Sequence, residues 1–118
     1  METSTMNLSE HMVSMIIKDY YKKVQNVDAF VVKDLKLVNH DLVLNIYVII
    51  KGHETMLTRD ELSNIFKWYL NSHGLDFVDF RYLGTIRKAG YFVEEDTPVF
   101  QGIQLHYNNR VFEKKLVP

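Results

Sequence analysis

The chain has 118 residues, 47% of them hydrophobic, with fourteen cations against fifteen acids, five histidines and no cysteine. That length predicts a single compact domain spanning 1–118 that withdraws roughly two-thirds of its unfolded surface from water. The missing cysteine excludes disulfides and thiolate metal sites and suits a reducing, cytoplasmic setting, and a net charge of −1 leaves no global field to hold a polyanion or an anionic membrane.

Apolar runs fall short of the roughly 20 residues of a membrane helix, the longest being bounded by Asn45 and Lys51, so no membrane association is expected. The opening METSTMNLSEH lacks the basic region and apolar segment of a secretion signal. Ala29 and Ala89 are the only alanines, while Lys, Asn, Ile and Tyr are favoured, a usage that points to AT-rich codons and a low-GC bacterium or its phages.

Residues 1–6 read as a frayed end. Asn7 is placed to cap a first helix, with Glu10 reaching back from the third helical position, and the helix is predicted from about Leu8 to Val24. Val13, Ile16, Ile17, Tyr20 and Val24 share one face and form its core stripe. Leu8, Met12 and Met15 lie nearly opposite, a second apolar face read either as wedged between the sheet and the carboxy-terminal tail or as a contact for a partner or for self-association in a homodimer.

Residues 30–38 and 42–50 read as a hairpin turning at Asn39, His40 and Asp41. In its second strand Leu42, Leu44, Ile46, Val48 and Ile50 make one apolar face and Val43, Asn45, Tyr47 and Ile49 the other, the pattern of a central strand. Thr58 and Glu61 form a capping box for a second helix carrying Leu62, Ile65, Phe66 and Tyr69, which Gly74 stops. Leu75 to Ile86 alternates as a strand, Val99, Ile103, Leu105 and Tyr107 mark another, and the turn in YNNR could return Val111 to Leu116 as a short edge strand.

The predicted fold is therefore α+β, two helices packed on one face of a mainly antiparallel sheet of four to six strands in the order αββαββ(β), a permutation of the split βαβ arrangement. That architecture hosts many functions and supplies none by itself.

Catalytic and cofactor motifs are missing from the sequence. His11, His40, His53, His73 and His106 are scattered without ligand spacing, and three consecutive acids, Glu94, Glu95 and Asp96, cannot converge on one cation. No G-x-S-x-G is present, and Gly84, Gly90 and Gly102 are too dispersed to cradle phosphate. The expectation is a non-enzymatic protein without cofactor or metal.

Two surfaces stand out for binding. Trp68 lies off the axis of the second helix, and an anchor of that size suits a protein partner. The long connection 86–98 sets Arg87, Lys88, Tyr91 and Phe92 beside Glu94 and Glu95, a mixed surface that suits another protein. Arg81, Arg87, Lys88 and Tyr91 supply the cations and stacking ring of an alternative, a nucleic-acid-binding module, which the acids that follow oppose. The sequence thus predicts a protein-binding chain of regulator or inhibitor type, from a phage or mobile element.

Overall fold

The computed structural model describes residues 3–39, 41–87, 90 and 96–109. Along the chain lie β1 (Ser4–Leu8), α1 (Glu10–Gln25), β2 (Phe30–Val38), β3 (Asp41–Ile50), β4 (His53–Met56), α2 (Arg59–Ser72), β5 (Asp76–Arg87) and β6 (Thr97–Asn108). The α+β class and the succession of helix, hairpin, helix, hairpin match the expectation. The strands are shared between two antiparallel sheets of three, β1-β6-β5 and β2-β3-β4.

The division follows from β1, which is a correction to the frayed end expected there. Ser4 to Leu8 alternates outward and inward and pairs along β6 from Ser4↔Tyr107 to Leu8↔Ile103, so β6 has a neighbour on both edges. Pairing residues 4–8 moves the helix start: Ser9 is the cap, its hydroxyl accepting from the Met12 amide at 3.2 Å, and α1 begins at Glu10. One more position of the core stripe shifts with it. Tyr21 is buried in place of Val24, which is half exposed, while Tyr20 is partly covered.

Gly102 makes the close crossing of β1 and β6 possible. It sits at φ +125° beside an irregularity in the β5/β6 register, and a Cβ there would collide with the Leu8 carbonyl oxygen. Only glycine satisfies both conditions.

The other sheet is built around β3, the central strand the alternation predicts. Leu44, Ile46 and Val48 are buried, opposite Leu35, Lys33 and Val31 of β2. Lys51 and Gly52, both at positive φ, turn the chain directly into β4, with Ile50 opposite His53. This is the two-residue hairpin geometry that matches strand twist. Lys33 points inward, and its ammonium lies 3.1 Å from Glu10 Oε1 and 3.0 Å from Ser14 Oγ, clamping β2 to the first turns of α1.

α2 holds its capping box, with Thr58 Oγ1 accepting from the Glu61 amide and Glu61 Oε1 from the Thr58 amide, each at 3.1 Å. Gly74 follows at φ +72°. One buried cluster joins all of this: Leu8, Val13, Ile16, Ile17, Leu44, Ile46, Val48, Leu62, Ile65, Phe66, Leu70, Phe80, Ile103 and Leu105 come from both sheets and both helices. Phe66 and Phe80 meet edge to face at 5.3 Å, at its centre. None of the described helices is long and apolar enough to cross a membrane.

Candidate binding surface

With most of their inner faces spent on the core, the two sheets present their edges, their outer faces and the cleft where the hairpins part. In the β1-β6-β5 sheet the outer face is polar and internally bonded. Arg81 Nε donates to Gln104 Oε1 and Gln104 Nε2 to Asn7 Oδ1, both at 2.9 Å, so one row of side chains crosses three strands. The next row holds Thr5, His106 and Asp79, in register. This places His106 beside Gln104 on the face opposite Ile103 and Leu105, as alternation predicts.

Asp79 ends that row at a β5 irregularity. Its carboxylate accepts from the Phe80 amide at 2.8 Å and from Arg59 at 3.0 Å, and these hold its pKa below the usual carboxylate value, the amide first and the guanidinium after it. Arg59 also donates to the Phe80 carbonyl at 2.7 Å and stacks 4.2 Å from the ring centroid of Phe80. The start of α2 is thereby tied to β5.

The outer face of β2-β3-β4 has the opposite character. Register sets Phe30 beside Ile49, Val32 beside Tyr47 and Tyr47 beside Met56, with Val43 further along β3. Phe30 is 67% exposed, Met56 49% and Val32 41%. Five apolar or aromatic side chains from three strands, Phe30, Val32, Tyr47, Ile49 and Met56, thus share one surface. Asp34 and Lys36, 3.2 Å apart, stand on the same face opposite Asn45 and Val43, and with Asn45 they set Val43 apart from the other five.

A cleft of about 340 Å³ opens between the two hairpins, walled by Leu35, Leu42 and Leu44 on one side and Phe80, Tyr82 and Phe100 on the other, with Arg59 at its margin. The sheets close on each other at Gly84, where a Cβ would lie 3.0 Å from Leu42 Cδ1. Among the described residues the walls bring no carboxylate or imidazole, and burial raises the pKa of the Tyr82 phenol, with Arg59 drawing it partly back. Such a lining suits apolar groups.

The residues singled out from sequence are dispersed. Trp68 is half-buried against Tyr20 at 5.5 Å, edge to face, where it joins α1 to α2. Arg87 is exposed at the end of β5 and pairs with Thr97, which shortens the long connection to residues 88–96 and makes β5 and β6 a hairpin. Lys88, Tyr91, Phe92, Glu94 and Glu95 lie outside the described residues, as does the edge strand expected at 111–116. Arg81 is on the polar outer face, bonded to Gln104.

Leu8 is a correction. It is 3% exposed, because β1 turns it inward against the core, and it belongs to no surface shared with Met12 and Met15. Those two methionines remain exposed on α1. The described residues contain no group of three or more His, Asp or Glu able to hold a metal.

The apolar sheet face was half legible in sequence. Val43, Tyr47 and Ile49 stand on the second face of β3, but Phe30, Val32 and Met56 join them only through register. No protein-family model matches the chain, and no match was found among curated proteins or solved structures.

Proposed function

We propose that this chain is a non-enzymatic protein-binding module whose contact surface is the outer face of β2-β3-β4. A single observation carries the reading: Phe30, Val32, Tyr47, Ile49 and Met56 are brought together by strand register on the solvent side of a sheet whose other side is already packed. Exposed apolar side chains scattered singly are ordinary, but a contiguous set that includes aromatics and methionine is the composition of an interface core.

The partner is a protein presenting a comparably flat apolar strip, anchored on Phe30 and Tyr47 and excluding water around them. Cysteine-free composition supports action in a reducing compartment, and an amino-acid usage that favours AT-rich codons supports a regulator or inhibitor of bacterial or phage origin. Of the two described cations of the nucleic-acid reading, Arg81 is engaged by Gln104 on the other sheet, while Arg87 stands exposed at the end of β5.

The test is capture of partners from a host lysate by the tagged wild-type chain, a Phe30→Ser/Ile49→Ser variant and an Arg81→Ala/Arg87→Ala variant, with and without nuclease. Proteins retained through nuclease treatment and through the arginine variant, but lost with the serine variant, are expected. Retention that collapses with nuclease or with the arginine substitutions would replace this reading with nucleic-acid binding.

A further inference from the structure

β2 is the outer strand of its sheet. Its hydrogen-bonded neighbour is β3, and among the described residues no other backbone hydrogen bond reaches Phe30–Val38. An unpaired edge of nine residues is a template for another strand, and chains that must stay single blunt such edges with charged side chains, proline, a bulge or a covering element. β2 has no proline and no bulge, and its charges, the inward-pointing Lys33 among them, are paired within the chain. Lys33 is neutralised by Glu10 and Lys36 by Asp34, and the register to β3 runs unbroken from Phe30↔Ile49 to Val38↔Asp41.

The outward-facing residues of this edge read Val32, Asp34, Lys36, Val38. About a two-fold axis at Leu35, an antiparallel copy places Val32 opposite Val38, Asp34 opposite Lys36, and Leu35 opposite itself. The sequence is self-complementary in both charge and hydrophobicity: four charges form a square of alternating sign, flanked by valines. Isologous contacts require this property, and few arbitrary strands have it.

We infer that the chain forms a homodimer by antiparallel pairing of β2 with β2 of a second copy, joining two three-stranded sheets into one of six. The pairing satisfies the free backbone groups of both edges and sets the two apolar outer faces side by side as one doubled platform. It uses the edge of the sheet and leaves the face for the partner, so it stands whether or not the binding reading above is right.

Charge reversal provides the test, read by sedimentation velocity over a concentration series. Asp34→Lys alone and Lys36→Asp alone each place like charges opposite one another at two symmetric points, and each should weaken self-association by about tenfold or more. Mixed in equal amounts, the two variants should form a heterodimer of near wild-type affinity, because each then supplies the charge the other lacks. Loss of folding cannot imitate that rescue. Leu35→Cys in this cysteine-free chain should give a disulfide-linked dimer on mild oxidation, whereas Lys36→Cys should not. A wild-type chain that is monomeric at high micromolar concentration would overturn the inference, as would self-association indifferent to both reversals, or single variants that fail to rescue each other.

Discussion

The two sheets have the same number of strands and share one core, yet their outer faces differ in kind. That of β1-β6-β5 is a polar row in which Asn7, Gln104 and Arg81 satisfy one another. That of β2-β3-β4 leaves Phe30, Val32, Val43 and Met56 in water. A face that stabilises the fold saturates its own groups, whereas a face that leaves apolar area open contributes nothing to the isolated chain that burial elsewhere would not contribute better. The contrast separates stability from recognition on one small molecule.

Substitutions can break that separation. The largest loss is expected from Leu8→Ala, about 2–5 kcal/mol in urea unfolding, since β1 buries this side chain in the core. Had Leu8 been a surface residue, the change would be near zero. Gly102→Ala should cost about 2–4 kcal/mol by combining a disfavoured φ with a backbone collision at Leu8. Gln104→Ala should cost about 0.5–1.5 kcal/mol, through the two bonds it makes across the polar face, and leave partner capture intact.

Phe30→Ser should change stability by no more than about 0.5 kcal/mol, because its side chain is mostly in water already, and should abolish capture. The smallest effect concerns pH. Asp79 has its pKa lowered by the Phe80 amide and by Arg59, so its contribution is present above the ordinary carboxylate pKa and disappears as pH falls through the depressed one. Asp79→Asn should therefore flatten the acid limb of the stability profile slightly while leaving stability differences among neutral pH values unchanged.

What the sequence disclosed and what it hid have physical reasons. α2 was readable from end to end because Thr58 and Glu61 form both halves of a capping box and Gly74 takes up the left-handed stop. β3 was readable as a central strand because its inner face is an unbroken apolar series. The start of α1 was misleading. Asn7 and Glu10 imitate a capping box by spacing, whereas the true cap, Ser9, has Met12 at the reciprocating position and gives no such signal.

β1 is a five-residue strand whose stability comes from pairing with β6 almost a hundred positions away, which no local pattern records. β4 is short and exposed, and it is detectable only through the Lys51-Gly52 turn. The candidate surface inherits this limit. Tyr47 and Ile49 were visible as one side of a strand, but the patch exists because β2 and β4 place Phe30, Val32 and Met56 next to them. Trp68 was conspicuous for its type, yet its ring is committed to Tyr20 at the helix interface.

The most direct test of the contrast between the faces is hydroxyl-radical footprinting of the chain, free and bound to its captured partner, with oxidation quantified at each reactive side chain. The account predicts that Phe30, Tyr47 and Met56 lose reactivity on binding while Met12, Met15 and Tyr82 keep theirs. Unchanged labelling at Phe30 and Met56, with protection appearing at Tyr82 or the α1 methionines, would contradict it and move the functional surface off the β2-β3-β4 sheet.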